Sequence, residues 1–196
     1  MSKNKILNEL VEASNLIYNK GLTPGKSGNI SCRFLDEGIN KIAITKTNIS
    51  KGMVNLEDIL IVDMQGNILE GEGKPSSETF LHLGIYEKRN EINAVVHTHS
   101  PYAAGFSMTD KKLKRLEGFG PIKDPYIPFV KYSKPGSREL ANDTAKMMTN
   151  EDAVVLKNHG VVTAGVNISE AVLHAQFIED IAKTQLIAHF LSLKPI

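Results

Sequence analysis

Residues 94–103 read Ala-Val-Val-His-Thr-His-Ser-Pro-Tyr-Ala. The apolar run Ala94-Val95-Val96 has the length and composition of a buried strand. Side chains alternate along a strand, so His97 and His99 share a face at its end. Pro101 has no N–H to give to a ladder, which puts the end of the strand at the histidines. Two imidazoles side by side are half of a zinc site. Taken alone, a His-x-His pair is more often two strand-end histidines bonded to backbone and solvent. A second stretch changes the balance. Residues 153–160 read Ala-Val-Val-Leu-Lys-Asn-His-Gly, again an apolar run followed closely by histidine. Two buried strands that each deliver imidazole at their C-terminal end supply three nitrogen ligands. Three neutral imidazoles with an open fourth position are the catalytic form of a zinc site.

Bulk properties narrow the class. The chain of 196 residues is long enough for one domain, residues 1–196, with a full core. Hydrophobic residues make up 41% and charged residues 23%, as in soluble globular proteins. A net charge of +1 gives no electrostatic case for nucleic acid or a membrane surface as partner. No apolar run approaches the roughly 18 residues of a membrane span, and Met-Ser-Lys-Asn-Lys at the start lacks the apolar core of a signal peptide. The single cysteine, Cys32, excludes an intrachain disulfide and reads as a small buried residue. The expectation is a cytoplasmic protein. Sequons at Asn29, Asn48, Asn142 and Asn167 carry no weight as glycan acceptors without secretion.

Along the chain, residues 3–20 form an amphipathic helix with Ile6, Leu10, Ala13 and Ile17 inward and Gly21 as its stop. Residues 23–31, Thr-Pro-Gly-Lys-Ser-Gly-Asn-Ile-Ser, are turn-rich and can aim backbone N–H groups at an anion. They lack the order of a Walker loop, and a plain helix-to-strand loop fits them as well as a phosphate cradle. Strands follow at 30–34, 41–45, 58–63 and 68–70, with a polar patch at Thr45-Lys46-Thr47-Asn48. Several short strands before the next helix predict a largely antiparallel sheet. Gly71-Glu72-Gly73-Lys74-Pro75-Ser76-Ser77-Glu78 leads into a helix, with Ser76 or Ser77 as cap and free N–H groups suited to phosphate. Glu78 fits either the positive end of the helix dipole or a site in front of it; His82, one turn on, reads as a packing residue behind it. Residues 101–108 open a short helix, 109–124 a solvated loop, 126–132 a strand, 137–148 a helix and 161–164 a strand. Ser169 is expected to cap a final helix whose apolar stripe is Val172, Leu173, Ala175, Ile178, Ala182 and Leu186, with His174 and His189 as surface or core residues.

Ser27-Gly28-Asn29-Ile30-Ser31, Pro75-Ser76-Ser77-Glu78, His97-Thr98-His99-Ser100-Pro101 and Asn158-His159-Gly160 occur in this order. The set resembles the class II aldolase/adducin family, most closely its aldolases of L-fuculose 1-phosphate, over nearly the whole chain. The resemblance implies an α/β fold, a three-layer α/β/α sandwich around a central, mainly antiparallel sheet. It implies a zinc enzyme with one Zn²⁺ per subunit, assembled as a C4 homotetramer with active sites between subunits. His97, His99 and His159 match the metal ligands, and Glu78 matches an acid/base carboxylate that also ligates the metal when substrate is absent. Gly28, Asn29, Thr47, Asn48, Ser76 and Ser77 match the three segments that hold the substrate phosphate. Asn48 stands where those aldolases carry glycine, a replacement compatible with a positive φ.

The implied reaction is that of a metal-dependent aldehyde-lyase. A ketose 1-phosphate such as L-fuculose 1-phosphate is split reversibly into dihydroxyacetone phosphate and an aldehyde such as lactaldehyde. Two tyrosines of the family lack counterparts: the sequence ends at Ile196 without the tail that carries one, and Lys114–Gly118 has none for the other, leaving Tyr102, Tyr126 and Tyr132 as candidates. The same scaffold serves sugar-phosphate epimerases, dehydratases and decarboxylases. It also serves adducin-like assembly proteins, which lose the metal residues that this chain retains.

Overall fold

Period-two patterning builds the centre of the molecule. In β1 (Asn29–Asp36), Ile30, Cys32 and Phe34 enter one core while Asn29, Ser31 and Arg33 point to the opposite face. β1 pairs antiparallel with β2 (Ile39–Thr45) and with β5 (Ala94–Thr98). β3 (Ile59–Val62) and β4 (Ile68–Glu70) extend the sheet beyond β2. On the other side lie β8 (Gly160–Gly165), β7 (Ala153–Leu156) and β6 (Phe129–Val130). The eight strands run in the order β4-β3-β2-β1-β5-β8-β7-β6, and among the described residues only β6 and β7 pair parallel. The computed structural model describes residues 2–117 and 124–193.

Helices cover both faces, giving the expected three layers. α1 (Lys3–Asn19), α3 (Pro101–Ser107) and α5 (Ile168–Ser192) pack on the side of Ile30, Val96 and Val155. α2 (Thr79–Lys88) and α4 (Arg138–Met147) pack on the side of Ile44, Val95 and Val162. Ala94 and Val96 belong to the first face and Val95 to the second, so alternation sends His97 toward α2.

The α2 side of β1 looks from its residues like a solvated face, yet it is buried: Asn29, Ser31 and Arg33 are all below a tenth exposed. Their partners come from α2, where His82 and Tyr86 sit four residues apart on one helix face. Ser31 Oγ lies 2.7 Å from both His82 Nδ1 and Tyr86 Oη, and His82 Nε2 lies 2.5 Å from Asn29 Oδ1. Arg33 donates to the carbonyls of Tyr86, Arg89, Asn90 and Ile92, which satisfies the C-terminal end of α2.

Four local expectations are corrected. Asn167, not Ser169, caps α5, its side chain accepting from Glu170 N–H at 2.9 Å; both residue types cap well, and Asn167 is the one that immediately precedes the first helical residue. Leu173 lies off the buried stripe of that helix and is exposed. The strand expected at 126–132 shrinks to Phe129–Val130, since Pro128 cannot donate to the ladder. α2 begins at Thr79 with Glu78 in the capping position, so neither Ser76 nor Ser77 caps it; the Ser76 hydroxyl instead accepts from Glu78 N–H at 3.2 Å. Of the expected loop 109–124, residues 118–123 lie outside the described residues. No described helix is long and apolar enough to cross a membrane.

Burial drives the His82 imidazole down from its ordinary 6.5 to about 3. Such a group binds fewer protons folded than unfolded, so its contribution to stability is complete above about pH 6.5 and is lost as pH falls toward about 3. Urea denaturation of metal-free protein at pH 7 and pH 5 should show the parent losing about 2 kcal/mol more than His82→Gln over that interval. Equal losses would mean that His82 is not held neutral.

Candidate metal and anion site

The three histidines come together at the C-terminal ends of β5 and β7. Their ring centroids are 4.8 to 4.9 Å apart, and one nitrogen from each lies within 4.8 Å of the others. His97 Nδ1 donates to the Val161 carbonyl at 2.9 Å, which leaves the lone pair on Nε2 facing His99 Nε2 at 3.1 Å. Burial, above all, holds His97 down at about 3 and His159 at about 4, and lowers His99 as well. The rings are therefore neutral near pH 7.

Glu78 faces this cluster while only 5% exposed. Its Oε1 accepts from Gly136 N–H at 3.0 Å; Oε2 lies 3.3 Å from His97 Nε2 and is without a hydrogen-bond partner among the described residues, as is His159 Nδ1. With His97 neutral, that approach is not an ion pair. A buried carboxylate oxygen set against an imidazole lone pair is unfavourable unless a cation stands with them. The donor set of three neutral imidazoles and one carboxylate fits a divalent transition metal.

Backbone geometry places each ring. Gly160 is required for space: a Cβ there would run into the Thr98 carbonyl oxygen and come within 3.2 Å of His97 Cε1. The turn that carries His159 is closed by His159 N–H on Leu156 O at 3.1 Å, with Asn158 at φ +54°. His99 is tied by its N–H to Leu22 O at 3.0 Å. Just beyond it, the buried Glu179 carboxylate of α5 accepts from Tyr102 N–H at 3.0 Å and Ala103 N–H at 2.9 Å, fixing the start of α3.

The imidazoles and Glu78 form part of the wall of a cavity of about 300 Å³. Gly28, Asn29, Thr47, Asn48, Ser76 and Ser77 line it with them, so all ten residues singled out from the sequence meet in one place. Gly28 has φ +72°, and a Cβ would fall 2.6 Å from Thr23 Cγ2 and 2.7 Å from His97 O. Asn48 adopts φ +61°, the turn that the glycine comparison called for. Thr47 N–H is spent on Lys74 O at 3.1 Å, so of its two donors the hydroxyl is the one left for a ligand. Lys26, Ser27, Lys46 and Pro135 also line it. The two lysines add positive charge to the cavity wall, Lys46 with Asp58 Oδ1 3.9 Å from its Nζ; their position beside Gly28 and Thr47 was the available signal. The loop with Pro135 and Gly136 had none, because Pro-Gly is a generic turn. Among the described residues no tyrosine lines the cavity: Tyr102, Tyr126 and Tyr132 lie elsewhere.

Comparison with known proteins agrees with this geometry. The family model described as Class II Aldolase and Adducin N-terminal domain matches residues 8–186. An L-fuculose phosphate aldolase of Methanococcus maripaludis is 41% identical over 181 residues, 92% of this chain and 96% of that one. A 5-deoxy-D-ribulose 1-phosphate aldolase of Bacillus thuringiensis serovar kurstaki is 35% identical across 87% of this chain and 79% of that one. A solved structure of an L-fuculose 1-phosphate aldolase superposes with a TM-score of 0.88 at 30% identity, covering 100% of this chain and 91% of its own. The chain belongs to the class II aldolase and adducin family. Within that family it is an enzyme, a metal-dependent lyase.

Gly160→Ala should cost about 1–3 kcal/mol in urea denaturation and weaken binding of a divalent ion about tenfold or more by calorimetric titration, because His97 must shift. Unchanged ion affinity would show that this close approach does not position the ring.

Proposed function

We propose a zinc-dependent aldolase that reversibly cleaves a ketose 1-phosphate, L-fuculose 1-phosphate or a near relative, to dihydroxyacetone phosphate and an aldehyde such as lactaldehyde. The observation that carries this reading is the buried, half-unpaired Glu78 carboxylate, set beside the imidazole cluster in a cavity also lined by glycine, hydroxyl, amide and ammonium groups. The relatives named as sugar-phosphate aldolases support the substrate class.

In this reading His97, His99 and His159 hold one Zn²⁺ per chain, joined by Glu78 when no substrate is bound. The ion supplies Lewis acidity that stabilises the negative charge left when the carbon–carbon bond breaks. Gly28, Asn29, Thr47, Asn48, Ser76 and Ser77 bind the phosphate, so that binding energy at the remote group orients the reacting carbon. Glu78 removes the proton from the hydroxymethyl carbon in the synthetic direction and returns it in cleavage. We further propose a cytoplasmic homotetramer of C4 symmetry with sites between subunits. Ile187, Phe190, Leu191 and Leu193, exposed along the end of α5, are surface that such an assembly would cover.

Purified protein should carry about one zinc per chain. Chelation should abolish turnover and zinc should restore it. A chelated, metal-free protein that still forms carbon–carbon bonds from dihydroxyacetone phosphate and lactaldehyde would refute the site. Glu78→Gln should lower kcat by about 10²–10⁴-fold while sparing phosphate binding; unaltered turnover would remove Glu78 from the mechanism.

A further inference from the structure

We propose that His82 is a positioning residue for the phosphate subsite, relaying the orientation of the buried Tyr86 hydroxyl through Ser31 to the Asn29 amide. This rests on the reading of Asn29 as a phosphate ligand. The relay consists of three short contacts in series: Tyr86 Oη to Ser31 Oγ at 2.7 Å, Ser31 Oγ to His82 Nδ1 at 2.7 Å, and His82 Nε2 to Asn29 Oδ1 at 2.5 Å.

Its direction follows from its far end. Tyr86 is 1% exposed, and burial raises its phenol well above the ordinary value, so the proton stays on. Among the described residues, Ser31 Oγ is the acceptor within reach of that O–H. A buried hydroxyl proton left unpaired is costly. Tyr86 therefore donates to Ser31, whose own proton is then directed to His82 Nδ1. A neutral imidazole carries one N–H, which must sit on Nε2 and point at an acceptor. Asn29 has to present Oδ1 there. Turned over, the amide would set its own N–H groups against the His82 N–H; held as it is, its Nδ2 hydrogens, which meet no described acceptor, are left for the cavity that Asn29 lines.

The functional consequence is selectivity for an anion. A freely rotating amide offers oxygen or nitrogen at similar cost; a fixed one presents only N–H donors to the phosphate. Burial keeps His82 neutral down to about 3, so the relay holds across the working pH range. Its sequence signature is polar residues at every second position of β1, Asn29 and Ser31, against polar residues four apart on α2, His82 and Tyr86.

The test uses metal-loaded protein and inorganic phosphate as the probe, titrated calorimetrically. Asn29→Ala and His82→Leu should each weaken phosphate binding about tenfold or more, and the double variant should be no weaker than either. His82→Gln, whose amide nitrogen can still donate to Asn29, should recover most of the loss. Zinc content should stay at the parent value throughout. With dihydroxyacetone phosphate as donor, KM should rise in His82→Leu while kcat holds; unphosphorylated dihydroxyacetone should be used equally well by variant and parent. Should His82→Leu fail to fold, Ser31→Ala supplies the second arm and should weaken phosphate about threefold or more. Nitrogen-15 NMR should find His82 protonated on Nε2 and bare on Nδ1. Weak phosphate binding in Asn29→Ala with normal binding in both His82→Leu and Ser31→Ala would overturn the relay alone. Normal binding in Asn29→Ala would overturn the phosphate reading of the loop, and the relay with it. A proton found on Nδ1 would also overturn it.

Discussion

The arrangement depends on a buried polar seam between one strand and one helix. Asn29, Ser31 and Arg33 of β1 meet His82 and Tyr86 of α2, and every member is almost fully removed from water. Apolar packing has little directional content, so a helix held only by leucine and isoleucine could slide along a sheet at modest cost. Hydrogen-bonded groups cannot slide: each buried donor or acceptor left unpaired costs about 1–3 kcal/mol. Sliding α2 by one turn would orphan several of them at once. The seam therefore fixes where α2 starts, and Glu78 stands immediately before that start.

The cavity wall carries two sets of groups with different electrostatic demands. In one set, burial strips protons from three imidazoles and leaves lone pairs converging with a carboxylate. Beside them on the cavity wall stand hydroxyl, amide and ammonium groups, each of which can donate to an anion. One set of groups suits a cation and the other an anion, and both line the same cavity. Neither half requires charged groups to be buried unpaired once both ligands are present.

Much of this was legible in the residues, and the limits have physical causes. The histidines were readable because each follows an apolar run and alternation is a local property. The conformation of Asn48 was readable because the resemblance puts glycine at that position and asparagine shares glycine's tolerance of a positive φ. The polar seam was not: Asn29, Ser31 and Arg33 alternate with Ile30, Cys32 and Phe34 just as a solvent-facing strand would, and only tertiary contact shows that helix, not water, satisfies them. Capping chemistry misled for a related reason. Pro75-Ser76-Ser77 has the composition of a helix start, but Ser76 and Ser77 are held at the cavity wall and Glu78 takes the capping position. The contribution of Gly136 N–H to Glu78 spans 58 residues of separation, which no local pattern encodes.

The central strands raise a problem of bookkeeping that the histidines solve. Ala94-Val95-Val96 on β5 and Val161-Val162 on β8 are buried on both faces, so hydrophobicity alone scarcely distinguishes the native pairing from one displaced by a single residue. A displaced ladder would bury the same methyl groups. It would also turn the first imidazole to the wrong layer and drive a backbone carbonyl into whatever replaced the small residue at 160. The reactive centre thus doubles as the alignment mark of the sheet, and selection for chemistry also selects for correct pairing.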